Sequence, residues 1–297
     1  MPHAILQAIT QLRATYPPTP SEPFAKTLIG ILVGTLFLAT LFYLLERLFP
    51  EQPHQPTIRE GTKIDAIYWF FDFFVAQRLV TALSIVTLIA LVALKMPRLT
   101  LLAHQPLPLQ ALEALLVADF CGYWSHRMLH EIPLLWRLHK VHHSSEKLDW
   151  LAAARVHPLE SAWNRLASLA PLFLLGFSPK ITMFFGPLLG LYPIFIHCNV
   201  RWGYGWIGYV IASPAFHRWH HSADQDALNK NFSGLLPVFD FLFGTAHFPR
   251  TGKPARYGLG EERAPSSFIQ QLWWPFRTRP VQIDSTGYGP PANLREW

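Results

Sequence analysis

The chain has 297 residues, 51% of them hydrophobic and only 15% charged, with a net charge of +6 when histidines are neutral. That is too apolar and too sparsely charged for an ordinary soluble protein of this size, and no basic run of the kind nucleic acid requires is present. Twenty-two Phe and eleven Trp point instead to a membrane protein, because aromatic side chains gather at the membrane–water boundary.

Pro17, Pro18, Pro20 and Pro23 precede the first apolar run, so residues 1–26 read as an N-terminal segment rather than a signal peptide. Thr27 to Leu45 is apolar and long enough to cross about 30 Å of hydrocarbon. A polar loop then runs to about Lys63. The stretch from Ile64 to Leu94 is interrupted by Asp72, Gln77 and Arg78; it reads as an interfacial aromatic entry followed by a spanning helix from Leu79. Lys95, Pro97 and Pro106 mark a return loop, which closes an N-terminal membrane region over 27–106. A third helix starts near Leu107 and leaves the membrane at about His126. Ala162 to His197 reads as a helical hairpin, spanning or dipping partway, broken at Gly176, Pro179 and Lys180. These elements predict an all-α integral membrane protein with about four spanning or half-spanning helices and a histidine-rich helical cap. The cap belongs to a catalytic region over 107–247, and residues 248–297 form an irregular tail.

Five histidines fall within eighteen residues, as His126-x-x-x-His130 and His139-x-x-His142-His143, and a second H-x-x-H-H follows as His217, His220 and His221. Positions i and i+4 of a helix share one face, so each cluster presents two or three imidazoles together. Imidazole suits iron, copper and zinc, and eight rings exceed what one zinc ion uses. A two-metal centre is the leading reading. No H-E-x-x-H hydrolytic zinc motif occurs, and the pair of helical Glu-x-x-His motifs that soluble di-iron bundles use is absent. Cys121 and Cys198 form no C-x-x-C, which argues against iron–sulfur or thiolate–zinc sites; each reads as a small buried apolar residue in a reducing compartment. Gly203-x-Gly205-x-x-Gly208 lacks a preceding strand and reads as an interfacial turn rather than a dinucleotide loop, so no bound flavin or nicotinamide is expected. Asn231-Phe232-Ser233 is a glycosylation triplet placed idle on the cytoplasmic side. Glu160 and Asp240 read as fixing a loop or a histidine rather than as general bases.

Around these residues the chain resembles the membrane-bound fatty acid hydroxylase/sterol desaturase superfamily. The resemblance rests on the three clusters and on Asp119, Tyr123-Trp124-Ser125, Arg155-x-His157-Pro158-x-Glu160, His197-x-Asn199, Ser213-Pro214, Asn231-Phe232-Ser233-Gly234 and Phe239-Asp240-x-x-Phe243-Gly244-Thr245. It covers about Leu107 to Thr245, with Phe232 and Phe239 standing where the family has Tyr and Trp; both departures are taken to lie away from the ligands. The resemblance implies two iron ions held by His126, His130, His139, His142, His143, His217, His220 and His221, with His197 as a ninth ligand. His157 would bind metal or orient a ligand, and Asp119 and Asn199 would support the ligands, Asp119 by accepting a ring N–H. It implies dioxygen-dependent hydroxylation of a lipid C–H bond, with desaturation as the close alternative and an external ferredoxin, cytochrome or reductase as electron donor. A membrane metal-binding or transport protein is the rival reading, disfavoured because transporters place ligands mid-membrane whereas these clusters lie in charged flanks.

Orientation follows from the loop cations. Arg127, Arg137, Lys140, Lys147 and Arg155, with Arg218 and Lys230, place the histidine clusters on the cytoplasmic face by the positive-inside rule, with an external N-terminus. Histidines 3, 54, 104 and 247 are expected at the surface.

Overall fold

A computed structural model describes residues 24–94, 102–249 and 252–277. Among the described residues the structure is helical, with three isolated bridges and no strand. The N-terminal proline cluster, Lys95, Pro97, His3 and the end of the tail lie outside the described residues.

Helix α1 (Phe24–Leu48) is apolar on every side and leaves Ile29, Val33, Leu36 and Phe37 exposed. A helix of that kind matches a hydrocarbon surrounding rather than a one-faced core. Helix α2 (Thr62–Phe71) continues through a π-helical turn (Asp72–Ala76) into α3 (Gln77–Ala93). The aromatic entry and the spanning helix form one continuous helical rod, and the polar groups between them are satisfied locally. Gln77 Nε2 donates to Asp72 at 2.8 Å, and the Arg78 guanidinium donates to the Phe74 carbonyl. Two helical stretches, Phe24–Leu48 and Thr62–Ala93, are long and apolar enough to cross a membrane.

Four of the remaining helices begin at a proline, directly after the residue that precedes it. Such a residue is driven out of the α region, while proline itself fits the first helical turn. Ile132, His157, Ser178 and Ser213 are all extended, with ψ between 116° and 164°. They end one element and start α5 (Pro133–His143), α6 (Pro158–Leu174), α7 (Pro179–His197) and α8 (Pro214–His220). Helix α4 (Leu107–Glu131) runs into this array as expected. Ala114 and Ala118, one turn apart on α4, pack with Leu172, Phe177 and Ile181 of the α6–α7 hairpin, where small residues permit close approach.

Two features depart from the sequence reading. The tail is not irregular throughout: α10 (Phe268–Trp273) packs Phe268 edge-on against Tyr68 at 4.8 Å, and Lys140 pairs with Glu262 at 2.6 Å. Lys140, Arg155 and Arg218, three of the cations used to orient the chain, are buried in internal contacts. Arg127, Arg137, Lys147 and Lys230 keep at least partial exposure. His54 and His104 are exposed, while His247 is half-buried beside Trp219.

Candidate metal centre

The nine clustered histidines converge from α4, α5, the end of α7 and α8 into two groups. His126, His130, His139, His143 and His220 form one; His142, His197, His217 and His221 form the other. Within each group one nitrogen per ring lies within 4.8 Å of every other. Both H-x-x-H-H motifs divide the same way. The i,i+4 pair goes to one group and the middle histidine to the other, because the middle residue is rotated about a quarter turn or more round its helix. The α5 pair His139/His143 joins the five-membered group and the α8 pair His217/His221 the four-membered one. The groups touch where His143 stacks on His221 at 4.4 Å.

The donor set decides what these groups can hold. His126 Nδ1 donates to the Phe232 carbonyl at 2.7 Å, His220 Nδ1 to that of Lys230 at 2.9 Å, His197 Nδ1 to that of Pro193 at 2.5 Å and His142 Nδ1 to that of Arg155 at 3.2 Å. A carbonyl only accepts, so in each neutral ring Nδ1 carries the proton and Nε2 a lone pair. Those Nε2 atoms nevertheless meet other Nε2 atoms: His126 with His139 at 3.1 Å, His143 with His220 at 3.0 Å, and His197 with His142, His217 and His221 at 3.1 Å. Lone pairs aimed at one another repel. A cation at the point of convergence turns that repulsion into coordination. Burial pushes all nine rings below the usual imidazole range, keeping them neutral and able to ligate.

Glu160 adds a further indication. Its Oε1 lies 2.7 Å from His139 Nδ1, and burial raises its carboxyl to about 8. An ionised carboxylate there needs positive charge close by, and a cation on the far nitrogen of His139 supplies it. The expectation that Glu160 fixes a histidine matches this contact. Asp240 fixes a loop, accepting from the N–H groups of Phe232 and Ser233 and the Thr245 hydroxyl at 2.7–2.9 Å.

Three supporting residues stand elsewhere than expected. Asp119 accepts no ring N–H; its oxygens take the backbone N–H groups of Leu235 and Leu236 at 3.1 and 2.8 Å. It therefore bears on His126 only through the loop whose Phe232 carbonyl orients that ring. Asn199 bonds both backbone groups of Gln52 and not a histidine. His157 belongs to neither group: Nδ1 caps α6 by accepting from Leu159 N at 3.2 Å, and Nε2 donates to the Leu272 carbonyl at 3.1 Å. Helical spacing tells which face a side chain shares, but not what the rest of the chain lays against it.

Phe232 does not lie away from the clustered histidines. Its ring packs 5.1–6.0 Å from those of His126, His130 and His220. Asn231 is fully buried, donating to the Phe216 and His247 carbonyls, so its glycosylation triplet is inaccessible. The glycine triplet forms a turn in which a Cβ on Gly208 would meet the Gly203 carbonyl at 2.4 Å.

One group of functional weight was not anticipated. Arg59 binds Asp149 through two nitrogens at 2.6–2.7 Å and Asp65 at 2.7 Å, and Arg155 binds the other oxygen of Asp65 at 2.5 Å. This buried quartet ties the start of α2 to the segment whose Arg155 carbonyl orients His142. A lone aspartate in the aromatic entry of α2 was the available signal.

Residues 111–245 match the family model described as fatty acid hydroxylase. Relatives include an ornithine lipid hydroxylase of Rhizobium tropici, 32% identical over 58% of this chain and 51% of that protein. The human alkylglycerol monooxygenase is 34% identical over 49% of this chain and 32% of that protein. A very-long-chain aldehyde decarbonylase of Oryza sativa is 30% identical over 43% of this chain and 21% of that protein. The chain thus spans about half the length of the first relative and less of the others. No solved structure matches. The matched segment is just under half of the chain and contains all nine converging histidines, so the likeness to the fatty acid hydroxylase family coincides with the candidate metal centre.

Proposed function

We propose that this protein is a membrane-embedded di-iron oxygenase that hydroxylates a C–H bond of a lipid, with His126, His130, His139, His143 and His220 holding one iron and His142, His197, His217 and His221 the other. The observation that carries the reading is the convergence of nine neutral imidazoles, eight of them buried, into two touching groups beside long apolar helices. Two iron ions held there would supply dioxygen activation and the oxidising power an unactivated C–H bond demands. The protein supplies the rest. Backbone carbonyls and Glu160 fix the ring tautomers, while Trp136 and Phe232 wall the five-histidine group with apolar surface that excludes water. The overall reaction consumes dioxygen, two electrons and two protons, and yields the alcohol and water. With no nucleotide fingerprint in the chain, the electrons would come from an external ferredoxin, cytochrome or reductase.

In this reading α1 and the α2–α3 rod span the bilayer, and α4 and the α6–α7 hairpin enter it partway. The at least partly exposed Arg127, Arg137, Lys147 and Lys230 support a cytoplasmic face for the centre by the positive-inside rule. The lipid-hydroxylating relatives support a lipid substrate. The test is to purify the chain from iron-supplemented cells, count iron per chain, and profile host lipids with and without expression. About two irons with a lipid gaining one oxygen is expected. A lipid losing two hydrogens would instead identify a desaturase, and a chain without metal would overturn the reading.

A further inference from the structure

Two segments that the proposed chemistry does not use form one exposed apolar surface. The turn Gly205–Tyr209 with its continuation to Ile211 presents Trp206, Ile207, Tyr209 and Val210; the short helix α9 (Val238–Leu242) presents Phe241 and Leu242. Trp206 is 76% exposed and Leu242 69%. The segments are joined by Tyr209, whose ring lies 5.7 Å from Phe241. No charged residue occurs from Trp202 to Phe216, and the only one from Asn231 to Ala246 is Asp240. That carboxylate is fully buried in the loop. The surface therefore presents large apolar and aromatic groups without any charge.

Its depth can be read from two helices. Phe120 packs on Phe239 and Phe243 at 5.4 and 6.3 Å, and lies six residues before His126, about 9 Å along α4. Tyr192 donates to the Ala212 carbonyl at 2.5 Å and lies five residues before His197, about 7.5 Å along α7. Both segments thus sit on the side of the histidines toward which the apolar helices extend. From Phe120 an exposed stripe of Leu116, Leu112 and Leu109 continues along α4 for about 16 Å, the depth of one hydrocarbon leaflet.

We propose that residues 204–211 and 238–243 form a lip of the cap that inserts into the cytoplasmic leaflet without spanning it, so that the lipid hydrocarbon meets the protein within about 10 Å of the histidine centre. Trp and Tyr at its edge suit the headgroup level, and the α4 stripe continues it into the hydrocarbon. The inference rests on the membrane placement proposed above but not on the reaction. It is tested with single nitroxide labels at Val210→Cys and Leu242→Cys in a Cys121→Ala background, in the full chain reconstituted in phosphatidylcholine vesicles, with Lys147→Cys and Leu36→Cys as references. Labels 210 and 242 should relax faster with dissolved oxygen and be shielded from a water-soluble nickel chelate at least severalfold relative to position 147. Nickel accessibility equal to that at 147, with position 36 still shielded, would overturn the lip alone. Nickel accessibility at position 36 would overturn the membrane placement itself. Spin–spin broadening at 210 and 242 that disappears on dilution with unlabelled protein would mean that a second copy covers the surface, and would also overturn the proposal.

Discussion

The Glu160 carboxylate meets Nδ1 of His139 at 2.7 Å, with both side chains almost wholly buried. The ring is thereby turned so that its other nitrogen faces His126 and His143. A carboxylate behind a ligating histidine fixes its tautomer and raises its basicity. Glu160→Gln keeps an acceptor of the same shape but removes the charge. Metal affinity should fall about 10- to 100-fold, with helical content unchanged, measured by competition with a chelator and by circular dichroism. Unaltered affinity would mean that Glu160 only fills space.

The two groups differ in reserve. Removing one ring from the four-histidine group leaves three donors, whereas the five-histidine group would retain four. His197→Ala should therefore release about one metal per chain, while His130→Ala should retain more of it under the same chelator challenge. Elemental analysis of both variants decides the point, and equal losses would contradict the unequal grouping.

Asp65 should matter more than its place outside the matched segment suggests. It joins Arg59 to Arg155 at 2.7 and 2.5 Å with no exposure to solvent. Asp65→Asn leaves two buried guanidiniums with Asp149 as their remaining acid partner in this network, and breaking a buried pair on one side costs about 3–5 kcal/mol. A markedly lower thermal midpoint in detergent is expected. Because the Arg155 carbonyl orients His142, the surviving folded fraction should also bind metal more weakly. A midpoint unchanged from the parent would refute this account.

What was legible in the sequence follows from how local each signal is. The histidine clusters were readable because i,i+4 spacing fixes a helix face within five residues. The division of each H-x-x-H-H between two groups was not readable, since it depends on how α5 and α8 face one another. Nor was the partner of Asp119, whose acceptors are engaged by residues 116 and 117 positions away. The quartet of Arg59, Asp65, Asp149 and Arg155 joins segments 90 residues apart, beyond the reach of any periodicity. The tail was misread as irregular because α10 has six residues and is held by packing against α2 rather than by its own pattern.

His157 separates a structural histidine from a ligating one. It stands beside the Arg155 carbonyl that orients His142, yet its own Nδ1 accepts the Leu159 N–H and its Nε2 donates to Leu272. A residue in that position acts as the N-cap of α6 and as a strap for the tail. Asparagine is among the best N-caps, whereas alanine forfeits the cap at a cost of about 0.5–2 kcal/mol. His157→Ala should lower the unfolding free energy by about that amount and loosen residues 268–276, seen as faster amide exchange there, with metal content unchanged. His157→Asn should recover most of the stability, though not the Leu272 contact. A ligand behaves in the opposite way: both variants would lose metal, and asparagine would retain no more of it than alanine. Metal content measured alongside the unfolding curves of the two variants therefore assigns the residue, and loss of metal in His157→Asn would return it to the coordination sphere.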